Sequence, residues 1–187
     1  MEDAVIDISK TRIETPRLIL RPWQDSDLED FYTYASEEGV GEMAGWAHHQ
    51  SMEESRKILN LFMEGKHTFA LELRENGHAI GSLGLEGRDE NLNLPKELEG
   101  YEIGYALSKA YWGRGLMPEA VQAVIDYSFR ELKLDYLTCG HFLRNSQSAR
   151  VIEKCGFRYL KDIFYQTRMD TIEPTKLYIF YNPDKEK

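Results

Sequence analysis

The sequence predicts one mixed α/β domain, a sheet of about seven strands flanked by about four helices in the order β-αα-βββ-α-β-α-ββ. Three observations carry that prediction. The length of 187 residues suits a single core, since domains run to roughly 100–200 residues. Short apolar runs bounded by turn residues alternate with segments whose apolar positions recur at helical spacing. One strand–helix–strand crossover lies near the middle, whereas the other strands follow one another through short turns.

Taken in order, Leu18 to Pro22 reads as a short strand, and Asp25 or Ser26 can cap a helix running to about Glu37, before Gly39. Ser51 and Glu54 have the spacing of a capping box, which starts a second helix that ends near Gly65. His67 to Leu73 and Ala79 to Leu85 form a hairpin about Asn76-Gly77. A polar loop over 87–99 precedes a strand from Glu102 to Leu107, in which Gly104 suggests a bulge or a close approach by a ligand or another backbone. From Pro118, with the proline at or near the first helical position, Val121, Val124, Ile125, Phe129 and Leu132 recur at helical spacing. Tyr136 to Phe142 is the next strand. Asn145 or Ser146 caps a shorter helix that Gly156 ends, and strands near Phe157 to Gln166 and Lys176 to Tyr181 close the chain.

Composition narrows the function classes. An apolar share of 42% and an aromatic share of 12% exclude a disordered chain. No run approaches the ~18 apolar residues of a membrane span, and the N-terminus lacks the apolar core of a signal peptide, so a cytoplasmic protein without a membrane partner is expected. The net charge of −9 argues against nucleic acid, whose binding needs a broad basic surface, and suits a cationic substrate or plain solubility. Cys139 and Cys155 are the two cysteines, and their spacing fits neither a metal site nor a disulfide framework. No metal is expected.

The stretch YWGRGLMPEA, residues 111–120, combines two glycines, one cation and a helix start. The first N–H groups of a helix lack internal partners and lie at the positive end of its dipole, so they form an anion site. Glycine at 113 and 115 lets the backbone turn those groups toward phosphate oxygens, and Arg114 adds charge. A plain tight turn would use the same glycines. A triphosphate loop would need Gly-Lys-Ser/Thr, and a dinucleotide fingerprint would need a third glycine where Pro118 stands.

Three ordered motifs, ETPRLILRPW, EIGYALSKAYWGRGLMPEAV and NSQSARVIEKCGF, resemble the GCN5-related N-acetyltransferases (GNAT), and within them the ribosomal-protein alanine N-acetyltransferase branch. The resemblance runs from about Thr15 to Tyr181. It implies a twisted sheet whose central strands, ending at Leu107 and starting near Tyr136, splay apart to admit acetyl-CoA, with the diphosphate on Gly113 to Met117. Tyr105, Ala106, Leu107, Trp112, Gly113, Arg114, Gly115, Leu116, Met117, Asn145 and Ser148 are then the expected cofactor contacts. The family's frequent Gln or Arg three residues before the first glycine is Ala110 here, which leaves more of the work to Arg114 and the amides.

Acetyl transfer to an amine needs the neutral amine, stabilisation of the carbonyl oxygen and neutralisation of the leaving sulfur. Glu102 is the candidate base, directly or through a water, because alternation places it on one strand face with the small residues Gly104 and Ala106. A structurally paired glutamate would sit there equally well. Many relatives use a Tyr seven residues after the motif's Asn, which is Ile152 here, so the resemblance points to Ser148 as the thiol-facing group. Asn145 and Ser148 also suit a plain helix cap. The carbonyl oxygen is expected to meet a backbone N–H near Leu107. Trp46 and His48, in a loop where relatives contact substrate, join Glu102 as expected acceptor-side residues, and His141 reads as a satisfied sheet residue.

The resulting expectation is direct transfer to a primary amine, either a protein N-terminus or a small amine such as an aminoglycoside, polyamine or metabolite. The alternative is a CoA-binding module without turnover, and a homodimer is compatible with either. An α-amine with pKa near 8 is neutral roughly one time in ten at pH 7, so a protein N-terminus asks little of its base.

Overall fold

The computed structural model describes residues 5–88 and 92–185. Its strands are β1 (Ile13–Glu14), β2 (Leu18–Pro22), β3 (Thr68–Leu73), β4 (Ala79–Glu86), β5 (Gly100–Leu107), β6 (Tyr136–Phe142), β7 (Arg158–Gln166) and β8 (Ile172–Tyr181). They form one sheet in the order β1-β2-β3-β4-β5-β6-β8-β7. Every adjacent pair is antiparallel except β5–β6, the parallel pair that the crossover demands.

Four α-helices cover the two faces: α1 (Leu28–Ala35) and α2 (Met52–Gly65) on one, α3 (Leu116–Arg130) and α4 (Ser146–Lys154) on the other. The periodic residues of α3 explain its docking. Val121, Val124, Ile125 and Phe129 are all at most 6% exposed, and each contributes roughly 1.5–3 kcal/mol by leaving water. They pack with Leu18, Leu20, Phe69, Leu71 and Leu83 of the sheet. On the opposite face, Trp23, Phe31, Tyr34 and Leu59 enclose Ala70, Ala79 and Ala106, small sheet residues that admit the bulky helix side chains.

Several local readings change in three dimensions. β1 is an added two-residue strand, and α1 starts at Leu28 after a single 3-10 turn over Asp25–Asp27. Asp25 does not cap the helix; it pairs with Arg56 of α2 at 2.8 Å. Asp27 accepts from the Gln24 N–H and is held by both terminal nitrogens of Arg21. In α2, Ser51 Oγ accepts from the Glu54 N–H as expected, but the Glu54 carboxylate reaches one residue further back, to the Gln50 N–H.

Gly104 forms no bulge, because its pairing with Gly84 is in unbroken register; irregularities lie between Leu71 and Glu72 and between Tyr159 and Lys161. Pro118 is the third residue of α3 rather than the first, since Gly115, at φ +75°, already caps the helix. Gly156, at φ +86°, follows the Cys155 cap of α4 as expected.

Candidate functional site

The β5–β6 ladder runs from Gly100↔Tyr136 to Ile103↔Cys139 and then stops, although β5 continues to Leu107 and β6 to Phe142. A cavity of about 410 Å³ lies at this divergence. It is lined by Tyr105, Ala106 and Leu107 from β5, by the loop and first turn leading into α3, and by the first turns of α4. Two helix N-termini therefore face one gap, and their unpaired amides make it favourable for an anion.

The loop supplies most of that character. Gly113 and Gly115 both adopt positive φ, at +74° and +75°, and a Cβ at Gly113 would meet nothing within 4 Å. Among the described residues, none of the backbone N–H groups of Gly113 to Met117 donates to another protein group. Bare backbone, unpartnered amides and open space suit the diphosphate of a CoA ester, which would sit on residues 113–117.

The cations are arranged otherwise than the local sequence suggests. Arg114 does not line the cavity; its guanidinium stacks over the Tyr111 ring, 5.2 Å from the centroid. Arg144, which precedes the α4 cap and pairs with Glu173 at 3.0 Å, and Arg150 and Lys154, on the exposed side of α4, line it. Arg150 and Lys154 are one helical turn apart in the sequence, which does not show which face of α4 meets the gap.

Arg17, within the first quoted motif, forms a further support. Its Nη1 donates to the Arg114 carbonyl at 2.8 Å and its Nε to Glu119 Oε1 at 3.0 Å. Glu119 Oε2 in turn accepts from the Arg17 N–H and from Thr15 Oγ1. Burial pushes the Glu119 carboxyl up, but the hydrogen bonds from Thr15 and Arg17 outweigh it and hold the group below its ordinary value. The segment before β2 is thereby strapped to the first turn of α3 and to the glycine loop.

On β5, the Ser108 N–H donates to the Ile80 carbonyl. Alternation then turns the backbone polar groups of Ala106 toward β4 and those of Tyr105 and Leu107 toward β6, where β5 has already parted from its neighbour. The Leu107 carbonyl is occupied by Trp112 Nε1 at 2.7 Å. The Leu107 N–H faces the gap on the same edge.

Across the cavity, Asn145 Oδ1 accepts from the Ser148 N–H at 3.1 Å and caps α4. Ser148 Oγ lies 2.6 Å from the Tyr105 hydroxyl, a pairing the sequence reading missed. Desolvation pushes the Tyr105 phenol well above its ordinary value, so it stays protonated near neutrality.

Glu102, Trp46 and His48 lie outside the cavity lining. Glu102 is on the α1–α2 side of β5, directly opposite Glu86 of β4, and the next pair on that face is Gly84↔Gly104. The side chain of Glu86 lies over this glycine pair, its Oε1 2.9 Å from where a Cβ on Gly84 would stand, and Gly104 is exposed beside it. Trp46 packs into the α1–α2 cluster, and His48 Nδ1 is 2.6 Å from Glu42 Oε1. Burial acts to raise the Glu42 carboxyl, but hydrogen bonds from the His48 side chain and backbone and from the Gly39 N–H bring it down to about 2. His141 is buried and bonded to the Phe142 carbonyl and the Tyr178 hydroxyl. Both cysteines are buried and free, and burial pushes the Cys155 thiol up to about 11 and Cys139 further.

Among the described residues no helix is long and apolar enough to cross a membrane, and no group of His, Cys, Asp or Glu is disposed to hold a metal ion.

Comparison with known proteins follows the same geometry. The model of the acetyltransferase (GNAT) domain family matches residues 17–158. The uncharacterised N-acetyltransferase YoaA of Bacillus subtilis (strain 168) is 27% identical over 179 residues, spanning 91% of this chain and 97% of that one. The probable N-acetyltransferase YjcK of the same strain is 41% identical over 86 residues, 46% of this chain and 48% of its own. Among solved structures, an acetyltransferase of the GNAT family from Bacillus anthracis superposes with a TM-score of 0.79 at 24% identity, covering 92% of this chain and 99% of the other.

Proposed function

This chain belongs to the GNAT acetyltransferases and is an acetyl-CoA-dependent N-acetyltransferase, and on that premise we propose that it transfers the acetyl group directly to the primary amine of a cationic acceptor, foremost a protein N-terminal amine. The observation that carries the reading is the parting of β5 and β6 beyond Ile103↔Cys139, at a cavity to which two helix N-termini contribute. A thioester entering between the strands would have its diphosphate on residues 113–117 and its acyl end beside Leu107 and Ser148.

In this reading the loop amides and the α4 cations hold the cofactor, whose thioester supplies the activated acyl group. The Leu107 N–H donates to the carbonyl oxygen as negative charge gathers there. Ser148 Oγ donates to the sulfur as the C–S bond breaks. Glu102, on the opposite face of β5, takes the proton that the amine gives up on forming the C–N bond, through a water where the acceptor is short. Direct attack is favoured over an acyl-cysteine route, because both thiols are buried and pushed to high pKa.

The ribosomal-protein branch is supported by the Asn145-x-x-Ser148 motif and by the modest demand that an α-amine makes on its base. The Glu86–Glu102 pair beside Gly84 and Gly104 supports a second reading, in which the acceptor is a small aliphatic diamine laid beside Gly104. A panel of N-terminal peptides, diamines and aminoglycosides, assayed for thiol release from acetyl-CoA, separates the two. Turnover of peptides above diamines is the expected result. Tight CoA binding with no release for any amine would replace the enzyme with a binding module.

A further inference from the structure

We propose that Tyr105 is a positioning residue which donates its phenolic hydrogen to Ser148 Oγ and thereby aims the serine's own hydrogen into the gap between β5 and β6, at the sulfur of the bound thioester. The inference rests on the reading of Ser148 given above and adds the residue through which that serine is held.

Ser148 is 7% exposed and lies in the first turn of α4. Its backbone is fixed by the Asn145 cap at 3.1 Å, and the partner of its hydroxyl among the described residues is Tyr105, at 2.6 Å. A 2.6 Å separation is at the short end for two hydroxyls, so the contact is a well-formed hydrogen bond. Each hydroxyl has one hydrogen and can donate in only one direction. A phenol is the stronger donor of the two and the weaker acceptor, because its oxygen lone pairs delocalise into the ring. The favoured arrangement is therefore Tyr105 to Ser148. That leaves the serine hydrogen to point elsewhere, and both residues line the cavity at the strand divergence.

The bond also spans the opening. Tyr105 belongs to β5 and Ser148 to α4, forty-three positions on in sequence. Since no β5–β6 ladder exists at this level, the Tyr105–Ser148 bond ties β5 to α4 across the opening, while the Cys139 thiol of β6, a far weaker hydrogen-bonding group than a hydroxyl, is a second neighbour of the phenol. When the C–S bond breaks, the electron pair goes to sulfur. Ser148 donates to it, Tyr105 follows by strengthening its bond to Ser148 Oγ, and the thiolate finally takes a proton from solvent, to which Glu102 gives up the one it received from the amine. No proton need leave Tyr105.

The test uses Tyr105→Phe, Ser148→Ala and the double variant, with melting temperature and CoA affinity measured alongside. Two readouts are followed: kcat for a turned-over amine, and the apparent pKa of the thiol of bound CoA from its ultraviolet thiolate absorbance. The second requires no acceptor and is read as the difference between CoA-bound and CoA-free protein, in which the protein's own two thiols and eleven phenols cancel.

Tyr105→Phe should lower kcat about 10- to 100-fold with KM for acetyl-CoA changed less than about threefold, and raise the bound thiol's pKa by about one. In the Ser148→Ala background the same substitution should add less than about twofold to either effect. Full additivity would overturn the proposal, as would a Tyr105→Phe protein with wild-type kcat and thiol pKa. If Ser148→Ala alone moves neither readout, the serine reading fails and takes this inference with it. If no amine is turned over yet the thiol pKa responds non-additively, the enzyme reading is at fault and the Tyr105–Ser148 coupling stands.

Discussion

Replacing Gly115 by Asp and, separately, by Asn isolates the electrostatics of the glycine loop. Gly115 has φ +75°, and an added Cβ would approach only Arg17 Nη2, at 3.5 Å, an ordinary contact. Asn and Asp are the side chains best tolerated in the left-handed region, so both variants pay a similar strain of about 1–2 kcal/mol. For a domain of this size that lowers Tm by roughly 2–8 °C. The Asp carboxylate also gains Arg17 as a neighbour, which makes it no less stable than Asn.

The two variants then differ by one negative charge at the proposed diphosphate position. A carboxylate about 5 Å from roughly two negative charges is repelled by roughly 2 kcal/mol at the dielectric of water, and by more where the cavity excludes solvent. The expected outcome in calorimetric titration is CoA affinity at least ~30-fold weaker for Gly115→Asp than for Gly115→Asn. The difference should shrink at high salt. Pantetheine, which lacks the diphosphate, should bind both variants alike. Equal CoA affinities for the isosteric pair would show that the diphosphate does not lie on this loop.

Three other outcomes are expected. Glu102→Gln should reduce kcat/KM by about 100-fold, with the largest loss at acid pH and for amines of high pKa; an unaltered pH profile would leave Glu102 a structural partner on β5. Asn145→Ala should cost about 1 kcal/mol by removing the α4 cap, read as a Tm lowered by about 2–4 °C, and kcat should fall with it as Ser148 loses its support. His48→Ala should destabilise only where Glu42 is ionised. That carboxyl is depressed on folding, so its contribution is complete above its unfolded value of 4.5 and is lost as pH falls through about 2. Urea unfolding should therefore show a loss of ~1–2 kcal/mol at pH 5.5 that shrinks steadily below pH 4.5 to a few tenths near pH 2; a loss independent of pH would detach His48 from Glu42.

What the sequence made legible were the features with local causes. Val121 to Phe129 repeat at helical spacing because one side of α3 must be apolar, and Ser51, Gly77 and Gly156 mark a cap, a turn and a helix end, each of which has its own residue preference. Gly113 and Gly115 were legible for the same reason, since a backbone at positive φ leaves little choice of side chain. The errors began where a side chain had a distant competitor. Asp25 is drawn from the helix start by Arg56, and the first turn of α3 begins two residues early because Gly115 can cap it before Pro118.

The site shows the same division more sharply. Its backbone half, amides and glycines, is local and was readable, whereas its side-chain half is assembled from partners far apart in the chain. Arg17 reaches the loop and Glu119 across about a hundred residues, and Tyr105 reaches Ser148 across forty-three. Neither contact has a signature within either segment, because each depends on the sheet order that sets the segment before β2 against α3, and β5 against α4. Arg114 is the instructive case: its position beside the glycines suggested a phosphate ligand, and its guanidinium rests over the ring of Tyr111, outside the cavity lining. The cations that line the cavity are Arg144, which is ion-paired with Glu173 at 3.0 Å, and Arg150 and Lys154. In the proposed reading the glycine loop supplies geometry while Arg150 and Lys154 of α4 supply charge, so affinity for the diphosphate and aim of the thioester would depend on the same short helix.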